Sequence, residues 1–416
     1  MPTSFPAATP QAATGGRRRL LGGLAAGALG LAWPWGAHAS TVVMGQPTNL
    51  VSDSERMISY RHQNHMWQTA DGALHLVFNR GTLLPNPGLA LCSSFDGGLS
   101  WQIDHALPGT TANSSADGLI EDGVLHLVYS VASGDIVYDA YTYADGVWTL
   151  QLREAAFSSA LRLGINPALG IDAAGTVWCG FVARTRANAA TDIRMVARPA
   201  GGGWVDTGLT FGPTDSRSIE RSARPVRIGG GMGMVYKVRE NTFWARREDG
   251  NAIDADWQGH RIRSGPLVRR LTDPYSSHFS VNTTDDGAVH LVLIEDYNVL
   301  YFRGAAGGLQ WTAPLQFDDE REVVYAQLAV IDGKLAVGYG ASALTAAKRG
   351  AVHVSADNGA SFGRAAELTP VRGIAGANFR APRVELPMQA SGPLRMLQQF
   401  QQDNLFRALL YVVPVP

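Results

Sequence analysis

Two short segments hold the side chains best suited to moving protons. Tyr60-Arg61-His62-Gln63-Asn64-His65 places two histidines beside an arginine, and Asp273-Pro274-Tyr275-Ser276-Ser277-His278 pairs a histidine with a tyrosine. Histidine changes charge near neutral pH, and a phenol can give or take a proton, so both types serve as general acids and bases. The candidate catalytic residues are His62, His65, Tyr275 and His278. On a regular strand His62 and His65 would point to opposite faces, so only one would reach a shared site and the other would be a hydrogen-bonded core residue.

Arg61, Asn64, Asn166, Arg221, Arg224, Tyr325, Gln327 and Arg380 form a second group, the candidate substrate contacts. They stand out in a chain with only 17% charged residues. An arginine fork binds a carboxylate bidentately, so arginine with neutral histidine and tyrosine suits an anionic sugar. Arg221 and Arg224 are open to another role, an ion pair between neighbouring sheets, with Glu220 as a partner. β-Elimination of a uronate needs a cation on the carboxylate, a base for the α-proton and an acid for the leaving oxygen. Arginine, histidine and tyrosine supply all three. Paired-carboxylate hydrolysis fits less well, because the inner strands carry few acids; Asp117 is the one aspartate that stands out on the rim of the first two units.

These residues must be positioned by elements that repeat. Asp71-Gly72-Ala73-Leu74-His75-Leu76-Val77-Phe78 is nearly copied at Asp122–Tyr129 and again at Asp286–Leu293, and weaker copies begin at Gly175, Gly231, Gly333 and Gly392. Seven strand-only units at a period of roughly 45–60 residues predict a β-propeller with one four-stranded antiparallel sheet per repeat. The expected fold is therefore all-β and seven-bladed, with six blades as the alternative. Glycine, at 47 residues, supplies the tight turns such a fold needs. The inner strand of each blade would line a central channel, and the candidate residues precede or begin those strands. His75, His126 and His290 recur at matching places in second strands and are expected to be structural. The last unit lacks an outer strand, which the chain near Thr41–Met44 is expected to provide, hiding both edges of the ring.

Ser94-Phe95-Asp96-Gly97-Gly98-Leu99-Ser100-Trp101 and Ser355-Ala356-Asp357-Asn358-Gly359-Ala360-Ser361-Phe362 share the pattern Ser-x-Asp-x-Gly-x-Ser-aromatic. This resembles the Asp-box of sialidase-like (BNR-repeat) propellers, a turn staple on the periphery. With seven units, the chain is similar to the seven-bladed group that includes ulvan lyases and rhamnose–glucuronate lyases. The segment around His62 resembles that group's opening His-Gln motif, which implies a catalytic or uronate-contacting role for His62. A sialidase-like exo-hydrolase is the alternative the wider resemblance implies. It would need three arginines on the carboxylate, for which Arg61, Arg224 and Arg383 are available. A propeller that only binds carbohydrate or protein is a third reading.

Residues 1–39 read as an export signal. Arg17-Arg18-Arg19 open an uncharged apolar run to about Trp33 that ends in Ala37-His38-Ala39, a small-x-small cleavage site. The arginines resemble a twin-arginine signal, which implies periplasmic or secreted protein. Residues 40–416 are expected to form one domain, monomeric and free of membrane after cleavage. A net charge of −1 argues against nucleic acid as a partner. Two cysteines exclude a disulfide scaffold, and Cys92 and Cys179 fall in different repeats, so no bridge between them is expected. No phosphate loop, dinucleotide fingerprint, zinc-protease motif or nucleophile elbow occurs, so no cofactor is expected. A structural Ca²⁺ held by backbone carbonyls stays open.

Overall fold

Asp122 and Gly123 both sit in left-handed backbone (φ 50° and 76°), where an Asp-Gly pair closes a tight hairpin. They join Ala116–Glu121 to Val124–Ser130, and turns of this kind recur through a computed structural model of the chain. It describes residues 40–58, 62–215, 221–265, 278–317, 323–341, 350–370, 377 and 382–416. The described strands form seven sheets, each containing four neighbouring antiparallel strands. The first strands of neighbouring sheets lie against one another, so the fold is an all-β propeller of antiparallel blades. Among the described residues the only helix is a single 3₁₀ turn at Ala306–Gly308, and none is long and apolar enough to cross a membrane.

Each blade is packed on both faces, so its strands read as continuous apolar runs rather than alternating ones. Leu74–Asn79 is buried at all six positions. Between the first two blades, Trp67, Val77 and Leu91 meet Leu125, Tyr141 and Trp148. Comparable clusters fill the other interfaces. His75, His126 and His290 belong to this packing. His75 contacts Thr69 at 2.9 Å and accepts the Trp148 indole N–H at 2.9 Å. His126 and His290 each meet a tyrosine hydroxyl at 2.7 Å.

The two Ser-x-Asp-x-Gly-x-Ser segments fold alike. Asp96 accepts the Ser100 N–H at 3.0 Å and the Ser94 hydroxyl at 2.9 Å, while Gly98 N–H donates to Ser94 Oγ at 2.9 Å. Asp357 accepts the Ser361 N–H at 2.9 Å and the Ser355 hydroxyl at 2.7 Å, and Gly359 N–H donates to Ser355 Oγ at 2.8 Å. The aromatic that follows is tucked under its turn: the Trp101 indole donates to Gly98 O at 2.9 Å, and Phe362 packs edge-on against Tyr301.

Ring closure differs from the expectation. Thr41–Met44 does not complete the seventh blade; it pairs in parallel with Gly363–Thr369, the outer strand of the sixth. The next segment, Gln46–Ser52, pairs antiparallel with Leu405–Val413 and supplies the seventh blade's outer strand. Gly45 makes the crossing possible. A Cβ there would lie 2.8 Å from the Tyr411 ring, so only glycine passes beneath it. Pro47, which lacks an N–H, is tolerated because this is an edge strand. One N-terminal segment thus ties two blades together.

Candidate functional site

The inner strand of the seventh blade is only two residues long, Val384–Glu385, and the first blade's begins at Met66. The segment His62–His65 is therefore not a strand, which corrects the premise that alternation would hide one of its histidines. Both are buried, at 3% and 4% exposure. The segment is held by side chains from other blades. Asp117, on the second blade, accepts the Asn64 N–H at 2.6 Å, and Glu385 accepts the His65 N–H at 2.8 Å. Gln63 reaches the third blade, donating to Pro167 O at 2.7 Å.

Asp117 is the hub of this arrangement. Its carboxylate also accepts the Leu169 N–H at 2.8 Å and pairs with Arg224 Nη1 at 2.5 Å. Arg224 in turn donates to His62 O at 3.0 Å. Burial presses the Asp117 carboxyl upward, against the pull of Arg224 and the two amides. Four blades meet at this one acid. Glu385 is a second hub. It accepts Gln327 Nε2 at 3.0 Å, and its Oε2 stands 3.4 Å from His65 Nδ1, an ion-pair distance without hydrogen-bond geometry.

A third group lies at the start of the fifth and sixth inner strands. His278 Nε2 is 3.4 Å from Tyr325 Oη, and the two rings sit 4.5 Å apart. The Arg383 guanidinium stands 4.6 Å above the Tyr325 ring. His62 stacks at 5.2 Å on Phe279, the residue after His278. Histidine, phenol and guanidinium from three blades thus share one end of the channel, next to the histidine of the first.

The remaining candidates are dispersed. Asn166 takes a left-handed conformation (φ 53°), which asparagine tolerates, at a bulge that leans toward Ser115. Arg224 is committed to Asp117. Arg221 is wholly buried where the fourth blade faces the third, within the field of Asp192, and burial lowers its pKa. Arg61, Tyr275 and Arg380 lie outside the described residues, as do Glu220 and Arg217. Glu385 escaped the sequence reading altogether, and Asp117 was seen only as an isolated acid. The available signal was a lone acid inside an apolar inner strand, as in Val384-Glu385-Leu386. Cys92 and Cys179 are separate buried thiols. Among the described residues no group of three or more His, Cys, Asp or Glu is placed to hold a metal.

Asn64, Arg224 and Met388 border the small space beside His62. Beyond them, at the C-terminal ends of the inner strands, opens a cavity of about 740 Å³. Neither His62 nor the His278–Tyr325–Arg383 group lines it.

No family model matches the chain, and no curated protein does. Solved structures do. The polysaccharide lyase Uly1 is 10% identical over 85% of this chain and 90% of its own, with a TM-score of 0.47. The α-L-arabinanase of Penicillium chrysogenum, solved with arabinobiose, is 15% identical over 75% of this chain and 98% of its own, with a TM-score of 0.46. A mutant Trypanosoma rangeli sialidase displaying trans-sialidase activity is 10% identical over 90% of this chain and 60% of its own, with a TM-score of 0.45. These neighbours are carbohydrate-active enzymes.

Proposed function

We propose that this is an exported propeller that cleaves an acidic, uronate-containing polysaccharide or oligosaccharide by β-elimination. The observation that carries this reading is the grouping of His278, Tyr325 and Arg383. Arg383 would pair with the uronate carboxylate and stabilise the charge that develops as the α-proton leaves. His278, unprotonated, would take that proton. The C–H electron pair becomes the new C=C bond, the C–O bond to the leaving sugar breaks, and the departing oxygen takes the Tyr325 phenolic proton. His278 Nε2 and Tyr325 Oη are close enough to exchange a proton and reset the pair. His62, stacked on Phe279, stands beside them as a further contact.

The sialidase-like alternative loses ground through Arg224. A three-arginine clamp needs that guanidinium, and here it is paired with buried Asp117. Export rests on the arginines and apolar run of residues 17–39.

The test is the ultraviolet absorbance of the unsaturated uronate released from ulvan, alginate, pectin and glucuronate-rich gums. Tyr325→Phe and His278→Gln should each cut the rate by about 10²–10⁴. Rates within a few-fold of wild type in both would remove this group from the chemistry. No absorbance and no new reducing ends on any substrate would leave a binding propeller as the reading.

A further inference from the structure

We infer that the cavity at the C-terminal ends of the inner strands is a second binding site, one for an uncharged sugar. Its volume of about 740 Å³ falls within the usual range for small-ligand sites. At its inner end stands Asn64, only 4% exposed. Neither the oxygen nor the nitrogen of its side-chain amide has a hydrogen-bond partner in the protein. A buried amide with both donor and acceptor unsatisfied is costly, so a ligand that meets both is favoured. The backbone of Asn64 cannot turn the amide away, because its N–H is fixed by Asp117 and its O by Gly118 N–H at 3.2 Å.

The walls select the ligand class. Trp67, Leu169, Ile171 and Val226 provide apolar surface. The second, third and fourth blades each expose the channel-facing edge of the inner strand, so main-chain N–H and C=O groups also face the space. In the sixth blade that edge is taken by Gln389–Ala390, pairing in parallel with Val330 and Ile331. Most charges along the cavity are paired: Arg224 with Asp117, Arg227 with Glu121 at 2.6 Å, and Asp286 with Arg303 at 3.6 Å. Asp285, also in the lining, is exposed. An apolar wall with strand-edge main chain and an unpartnered amide, where the one lining charge without an ion pair among the described residues, Asp285, is exposed, suits a sugar ring with vicinal hydroxyls. It does not suit a uronate. The site therefore differs in ligand and in location from the His278–Tyr325–Arg383 group.

The test is calorimetric titration and saturation-transfer NMR of the full protein with glucose, galactose, xylose, rhamnose and cellobiose. Binding of at least one is expected. Asn64→Leu should weaken it by about tenfold or more, the worth of two hydrogen bonds. Gln389→Trp, which fills the cavity from an exposed position, should abolish it. Tyr325→Phe should leave it unchanged, so this result stands or falls apart from the elimination reaction. Urea unfolding of Asn64→Leu should show no loss of stability, because that amide makes no bond within the protein. No binding by any sugar, or equal binding by wild type and Asn64→Leu, would overturn the assignment and leave a water-filled channel.

Discussion

Asp117→Asn tests the hub of the channel directly. The carboxylate accepts three donors: the Asn64 N–H, the Leu169 N–H and the Arg224 guanidinium. The amide has the same shape but one acceptor fewer, so an NH₂ group must face a donor. Arg224, 2% exposed, is also left as an uncompensated buried charge. Removing one partner of a buried pair costs about 3–5 kcal/mol. That is a factor of roughly 200 to 5,000 in the folded-to-unfolded ratio, a large share of a normal domain's stability. Urea unfolding followed by tryptophan fluorescence reads it as a lower midpoint at unchanged slope. The companion variant is Asp117→Leu with Arg224→Met, which removes both charges. It should recover much of the loss, short of the two amide bonds to Asn64 and Leu169. A single-variant loss below about 1 kcal/mol, or a double variant no better than the single, would refute the view that this pair binds the four blades.

Two further outcomes follow from burial. His75, His126 and His290 are each held to a pKa of about 4, chiefly by burial, against an ordinary 6.5. The unfolded chain therefore binds protons that the fold refuses, and stability present above pH 6.5 is lost as the pH falls toward 4, by roughly 3 kcal/mol for each histidine. Urea midpoints should be level above neutrality and fall steeply across that window; a flat profile between those limits would show that these rings are not neutral core residues. Cys92 and Cys179 are about 1% and 0% exposed, and burial pushes both thiols up. An aromatic disulfide reagent should titrate neither in the native protein and both after unfolding, and a native thiol reacting at the rate of free cysteine would contradict the packing.

The parts of this fold legible in the sequence are those fixed by local chemistry. An Asp-Gly pair closes a hairpin with local groups alone, by backbone at Asp122 and with Thr69 or Thr284 hydroxyls on the carboxylate at Asp71 and Asp286, so the copies mark blades wherever they occur. The Ser-x-Asp-x-Gly-x-Ser turns are equally local, since the bonds by which their Asp and Ser side chains shape the turn span four residues or fewer. Ring closure was half legible. A strand from the N-terminus was required, but its register depended on Gly45 passing under Tyr411, a contact across most of the chain. The site was least legible for the same reason. His62–His65 reads as a strand, yet its N–H partners are carboxylates 53 and 320 residues away.

That distance explains why the centre is built from side chains at all. Seven inner edges converge on an axis, and neighbouring edges splay too far apart for a continuous ladder, so N–H groups near the axis need other acceptors. Asp117 and Glu385 supply them, and each brings a compensating donor, Arg224 or Gln327. The first-blade segment is freed from strand geometry by this means, and both of its histidines can lie near the axis, which a regular strand would forbid. It also divides the channel. The His278–Tyr325–Arg383 group collects where the inner strands begin, and the larger cavity opens where they end, with Asn64 between them and its amide left unsatisfied. If the two ends serve different sugars, the division is functional. Substitutions at Asp117 should then damage both ends together, whereas those at Tyr325 or Gln389 should damage only one.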